Sequence, residues 1–192
     1  MRISWQEFYA GLGDCRACRL CERRTNIVPG EGDYSARLML IGEGPGQEED
    51  RQGRPFVGAS GALLTRMLSA IDLSRDQVYI CNVVKCRPPG NRTPTPDEAA
   101  ACMGYLRQQF ALVRPRVVVL LGKTAAVNVL HEEIFIGRDH GRWFDRKGVS
   151  FMPTYHPSAL LRDPALKRAA WEDFQKVRAK LDEEEHADGR VQ

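Results

Sequence analysis

Four apolar runs stand out along the chain: Leu38–Ile41, Val78–Val84, Val117–Leu121 and Ser150–Tyr155. Each is too short for a helix and lacks a strict polar alternation, which is the pattern of a strand buried on both faces. Between them the period changes. Ser4-Trp5-Gln6-Glu7 has the form of a capping box and predicts a short helix ending near Gly11-Leu12-Gly13. Leu63, Leu64, Met67, Leu68 and Ile71 share one face of a helix over 60–71. Thr95 as N-cap, Pro96 at the first helical position and Glu98 closing the box open a long helix. Gly122-Lys123-Thr124 leads into another, and Asp163-Pro164 caps a terminal amphipathic helix reaching about Glu185. Strands alternating with helices predict an α/β fold: a central, mainly parallel four-stranded sheet covered on both faces. We expect one domain over residues 1–185 and a polar tail over 186–192.

Two polar interruptions of this pattern carry chemistry. The first is the stretch 42–58, directly after the first strand, with five glycines, four carboxylates and one aromatic, Phe56. Glycines at the end of a buried parallel strand let a flat ligand approach free backbone N–H groups. The second is Asn82 inside an apolar strand, where an unpaired amide costs about 1–3 kcal/mol and therefore calls for a partner or a ligand. His156 follows the last strand. Ligands bind at the C-terminal ends of the strands in open α/β sheets, so one pocket is expected to collect all three. Gly122-Lys123-Thr124 is not a Walker A loop, because Val117 stands where the upstream glycine is required.

Composition narrows the class. The chain has 192 residues, 43% apolar and 28% charged, the balance of a globular protein with a real core. No apolar run approaches a membrane span and no signal-type start is present, so a cytoplasmic location is expected. A net charge of +3 does not by itself indicate nucleic-acid binding. In a reducing compartment the six cysteines are ligands, catalysts or buried thiols rather than disulfides. Cys15-x2-Cys18 and Cys86-x15-Cys102 are two distant pairs that together can close one tetrahedral centre, and thiolate count alone does not separate zinc from a [4Fe–4S] cluster. Cys21 makes an alternative triplet with Cys15 and Cys18. Cys21 and Cys81 are otherwise read as buried or half-buried thiols, with Cys81 facing away from whatever Asn82 faces.

Taken together, Gly42-Glu-Gly-Pro-Gly46 with Glu48-Glu49-Asp50, Gly53-Arg-Pro-Phe-Val-Gly58, Asn82, the two cysteine pairs and His156-Pro-Ser-Ala-Leu-Leu-Arg162 resemble the family 4 uracil-DNA glycosylases, the iron–sulfur members of that superfamily. The resemblance extends from Cys15 to the terminal helix. It implies a three-layer α/β/α sandwich, a [4Fe–4S] cluster on Cys15, Cys18, Cys86 and Cys102, and hydrolytic removal of uracil from DNA. Gln47 departs from the glutamate common in that motif, and Cys21 and Cys81 are additional to the four ligands. A variant branch that bonds covalently to DNA carries a histidine in an inserted basic loop. Residues 82–102 contain none, so that chemistry is not expected.

The same resemblance distributes roles. An enzyme acting on a base must flip it out of the helix and hold its edge and its face. Phe56 is expected to stack on uracil, and Asn82 to donate to O4 and accept from N3–H, a pattern cytosine does not match. Gly42, Gly44 and Gln47 complete the substrate-contacting set. Bond cleavage leaves a uracil anion and a cation-like sugar. His156 is expected to donate to O2, helped by N–H groups of the Gly42–Gly44 loop. Glu43 is expected to hold the attacking water, with Glu49 as a second catalytic carboxylate or a residue crowding C5 against thymine. Leu160 and Leu161 are read as a DNA wedge and Arg162 as a phosphate contact, with Arg87, Arg92, Arg54, Lys85, Lys167 and Arg168 extending the track. The expected partner is uracil-containing single- or double-stranded DNA, bound by a monomer. A non-catalytic DNA-binding module associated with replication is the alternative, and an electron carrier built on the cluster a further one; the first needs neither Glu43 nor His156.

Overall fold

The computed structural model describes residues 3–189. Strands β1 (Glu31–Gly32), β2 (Leu38–Gly42), β3 (Tyr79–Asn82), β4 (Val117–Leu121), β5 (Phe144–Arg146) and β6 (Val149–Thr154) form one sheet in the order β1-β3-β2-β4-β6-β5. The helices are α1 (Trp5–Gly13), α2 (Gln47–Gln52), α3 (Ala59–Ser69), α4 (Pro96–Val113), α5 (Lys123–Leu130), α6 (Ile136–Asp139), α7 (Pro157–Arg162) and α8 (Lys167–Gly189). The four central strands run parallel, in the register Leu40↔Ile80, Leu40↔Val119 and Val119↔Met152.

The sheet has six strands where the apolar runs predict four. The additional two are short, antiparallel and at the edges. β5 reads Phe-Asp-Arg and is largely exposed, so it carries no apolar run. It is held by the turn: Lys147 and Gly148 both have positive φ (51° and 77°), as a two-residue hairpin loop requires. β5 stops pairing at Phe144↔Phe151, so Pro153 of β6 lies beyond it and deprives β5 of no ladder donor.

Strand alternation sorts the core into two layers. Leu38, Leu40, Ile80, Val117, Val119 and Met152 pack with Leu64 and Leu68 of α3 and Phe174, Val177 and Leu181 of α8. Met39, Ile41, Cys81, Val118 and Leu120 pack on the other side with Cys102, Met103 and Leu106 of α4 and Ala125 and Ala126 of α5. This is the expected α/β/α layering. It also confirms that Cys81 is buried on the face opposite to Asn82. α8 continues to Gly189, past the boundary expected at Glu185, and residues 190–192 lie outside the described residues. Among the described residues no helix is long and apolar enough to cross a membrane.

Candidate active site

The C-terminal ends of β2, β3, β4 and β6 open on a cleft of about 950 Å³, lined among others by Glu43, Gly44, Phe56, Asn82, Thr124 and His156. Each central strand contributes at its end, which is why residues far apart in sequence meet here.

Asn82 ends β3 and is 1% exposed, and its Oδ1 has no hydrogen-bond partner. A buried orphan acceptor facing a cleft is a vacancy for a donor. Gly42 makes room for it: a Cβ there would lie 2.4 Å from Asn82 Oδ1 and 2.5 Å from Phe56 Cζ. Gly42 is thus the floor between amide and ring, while Gly44 reaches the cleft wall itself. Gln47 is exposed on the first turn of α2 and does not line the cleft, so the structure removes it from the substrate-contacting set.

Phe56 is buried and adopts φ of 51°, a left-handed conformation that a bulky residue holds only under constraint. The constraints are visible. Glu49 Oε1 accepts from the N–H groups of Val57 and Gly58, both at 2.9 Å, and Glu49 Oε2 accepts from Gly46 N at 3.1 Å. Arg75 donates to Phe56 O at 2.9 Å and to Pro55 O at 2.7 Å, and pairs with Glu31 at 2.6 Å. A Cβ on Gly61 would sit 1.8 Å from Phe56 O, so only glycine admits this backbone. Three donors thus occupy the Glu49 carboxylate, which fastens the loop carrying the ring. Arg75 has no motif around it and is invisible to sequence reasoning.

His156 is the N-cap of α7, and its ring centroid lies 5.6 Å from that of Phe56. Its Nδ1 accepts from the backbone N–H of Ser158 at 3.1 Å and lies 2.8 Å from Ser158 Oγ. A backbone N–H can only donate, so in the neutral ring the proton sits on Nε2. Burial, with Arg162 adding to it and Glu49 opposing, pushes the His156 pKa down to about 4. The cleft is therefore offered a neutral imidazole with an Nε2–H donor at physiological pH.

Glu43 is half-buried, and its Oε2 accepts from Thr124 Oγ1. Thr124 lies in the first turn of α5, where Asn128 Nδ2 donates to Thr124 O at 2.8 Å. The Gly122-Lys123-Thr124 turn, no phosphate loop, thus has a use: it steers a carboxylate.

The DNA-contacting set needs correction. Leu160 is 1% exposed, packed with Leu63 and Ala170, so it is core and not wedge. Leu161 beside it is 43% exposed, and Arg162 is exposed and lines the cleft. The step of 3.6 residues per turn on the short α7 places Leu160 on its buried face and Leu161 off it. Lys85 is fully buried and cannot meet a phosphate. Arg92 is held by Glu98 at 2.7 Å, Arg54 by Glu31 at 2.7 Å and Arg168 by Glu172 at 3.1 Å. Arg87 is half-buried and donates to Asn91 Oδ1 at 2.7 Å within the loop after β3.

Some distance along the same chain, Cys15, Cys18, Cys86 and Cys102 line one small cavity, and Cys21 joins them as a fifth thiol. All six cysteines are free. Arg24 donates to Cys86 Sγ at 3.4 Å and to Cys15 O at 2.8 Å, and the backbone N–H of Lys85 donates to Cys102 Sγ at 3.4 Å. Burial pushes Cys86 up to about 11 and raises Cys18 and Cys102 as well, so these are not activated nucleophiles. Among the described residues no three His, Cys, Asp or Glu side chains close on a point that one ion would fill. Four thiols around one small cavity faced by Arg24 and Lys85 suit an anionic, thiolate-ligated group.

A parallel α/β sheet that gathers an aromatic ring, an orphaned buried amide oxygen and a neutral imidazole donor at its strand ends has the features that a pocket for a flat, polar-edged base requires. The sequence comparisons agree: residues 29–175 match the family described as "Uracil DNA glycosylase superfamily", and the chain belongs to it. The chain is 47% identical over 174 residues to the type-4 uracil-DNA glycosylase of Thermotoga maritima, covering 88% of this chain and 91% of that protein. It is 44% identical over 171 residues to the type-4 enzyme of Archaeoglobus fulgidus, with 85% and 86% covered. The type-5 uracil-DNA glycosylase of Pyrobaculum aerophilum is 39% identical over 189 residues, with 81% and 83% covered.

Proposed function

We infer that this protein is a monofunctional uracil-DNA glycosylase of base-excision repair, which flips uracil from DNA and hydrolyses its N-glycosidic bond. The observation that carries the substrate is Asn82 Oδ1, a buried acceptor without a donor. Uracil N3–H supplies that donor, whereas cytosine has an unprotonated N3 and would leave the oxygen unsatisfied at a cost of about 1–3 kcal/mol. Asn82 reads the edge, Phe56 covers the face, and Gly42 and Gly44 let the base approach the strand end.

As the bond from C1′ to N1 breaks, its electron pair leaves with uracil and negative charge grows on O2. Neutral His156 donates Nε2–H to that oxygen; its lowered pKa keeps the ring neutral, so it stabilises the charge by a hydrogen bond and transfers no proton. Glu43, oriented by Thr124, opposes the positive sugar and takes the proton of the water that adds to C1′. An abasic site remains. Glu49 belongs to this machinery as the fastener of the Phe56 loop. Leu161 fills the space vacated by the base, and Arg162 and Arg87 meet phosphates.

Cys15, Cys18, Cys86 and Cys102 hold a [4Fe–4S] cluster, which supplies cross-links between the N-terminal segment and the loop after β3, since the hydrolysis needs no redox step. Glu98 reinforces the same joint, bonding Arg19 beside Cys18 at 3.1 Å and Arg92 in the loop at 2.7 Å. Six free thiols suit a cytoplasmic protein. The reading extends to one domain that runs through α8, active as a monomer on single- or double-stranded DNA.

Incubation with a single-stranded uracil oligonucleotide tests the assignment: abasic sites form with the wild type and nearly vanish with His156→Ala. A protein that releases no uracil at any temperature sinks it.

A further inference from the structure

Lys85 stands between the two sites. Its side chain is fully buried, and among the described residues no carboxylate pairs with it. Its ammonium donates to the backbone oxygen of Asn82 at 2.5 Å, its backbone N–H donates to Cys102 Sγ at 3.4 Å, and its carbonyl accepts from Val28 N at 2.8 Å. One residue thereby gathers the uracil-reading strand end, a cluster ligand and the end of the N-terminal segment. A buried cation without a counter-charge is strongly unfavourable. The cavity that Lys85 lines, with Arg24 also facing it, is the thiol-lined one. A core held by four thiolates is net anionic, and the Lys85 charge, which already acts in favour of the Cys102 thiolate, is a buried cation suited to balance it.

We propose that Lys85 is the buried counter-ion of the thiolate-ligated cluster and a positioning residue that couples its presence to the aim of the Asn82 amide. This rests on the assignment of the cluster to Cys15, Cys18, Cys86 and Cys102. With the cluster bound, the charge would be balanced and the ammonium would keep its hydrogen bond to Asn82 O, fixing the end of β3. Without it, the charge has no buried partner and leaves for water, and the strand end loosens.

The test compares full-length wild type with Lys85→Met and Lys85→Arg. Lys85→Met keeps the stem and removes the charge. It is expected to lose iron several-fold faster under mild oxidant, to hold its cluster at a lower reduction potential because a nearby positive charge no longer favours the added electron, and to show a raised KM for uracil DNA. Lys85→Arg restores the potential in part. A Met variant that binds iron with unchanged potential and lability overturns the counter-ion role, and an unchanged KM overturns the coupling. Should the variant not fold, amine acylation of the wild type answers instead: Lys85 is protected in the iron-loaded protein and labelled after chelator stripping, and protection in both states overturns the proposal. Protein purified without iron and without cluster absorbance overturns the cluster assignment and this proposal with it, while uracil excision is scored separately.

Discussion

The pocket and the cysteine-rich segment are held in opposite ways. At the pocket, the reacting groups stand on the ends of four hydrogen-bonded parallel strands, and glycines bring them within contact. Around the cysteines the chain is loop, short 3₁₀ turn and helix start, fastened by a handful of side chains: Glu98 to Arg19 and Arg92, Arg24 to Cys86, and Asp50 to the N–H groups of Thr25 and Asn26. The lesson is that the two regions should fail differently. Damage at the pocket removes chemistry from an intact fold; damage at the brace loosens the fold and reaches chemistry only through Lys85 and the strand end.

The sharpest way to break this contrast is His156→Ala. It is expected to cost about 10²–10³-fold in single-turnover rate, the usual loss for one oxyanion donor. Because the His156 pKa lies near 4, wild-type activity should show no histidine step near pH 6.5. The sign for stability follows: the unfolded chain binds the additional proton between pH 6.5 and about 4, so the folded state loses stability as pH falls through that window. NMR titration of the ring checks both, and a midpoint near 6.5 contradicts the neutral-donor role.

Thr124→Val comes next, with roughly a tenfold loss in rate and little change in KM. Loss of its hydrogen bond leaves the Glu43 carboxylate free to turn, so the deficit falls on the chemical step, whereas Thr124→Ser keeps the hydroxyl and restores most of the rate. A serine variant as slow as the valine variant removes the Thr124 hydroxyl from the positioning of Glu43.

Glu98→Gln probes the other region. Arg92 foremost holds this carboxylate down to about 2, so its stabilisation is complete above the ordinary carboxylate range and is lost as pH falls from about 4.5 toward 2. The variant should melt several degrees lower at neutral pH with a nearly normal rate per folded molecule, and the gap in melting temperature should narrow in acid. A rate loss larger than the stability loss would join the two regions more tightly than the contrast allows.

Leu161→Ala has the smallest expected effect, a few-fold loss on duplex and less on single-stranded substrate, because the wedge matters where a stacked base must be displaced. Leu160→Ala should instead lower stability, by about 2–5 kcal/mol as for other buried leucines, with no strand preference.

Much of this was legible in the chain itself. Apolar runs without alternation name the four central strands, the Ser4 and Thr95 capping boxes place two helix starts, and an amide inside an apolar strand marks a residue of the cleft. Local physics determines these features: propensity, capping and burial act over a few residues, and a polar group in a buried run demands a partner wherever the run packs. The two edge strands were not legible, since each is two or three residues long and owes its conformation to a neighbour. Nor were Leu160 and Lys85 read correctly, because adjacent exposed-looking residues divide between core and surface only once α7 has packed on α3 and the segment after β3 has packed on α4. Tertiary structure alone decided that Glu49 fastens a loop, that Thr124 and Arg75 steer Glu43 and Phe56, that His156 carries its proton on Nε2, and that Cys21 shares the cavity of Cys15, Cys18, Cys86 and Cys102. Each depends on which atoms meet across distant segments, and meeting is a property of the packed fold.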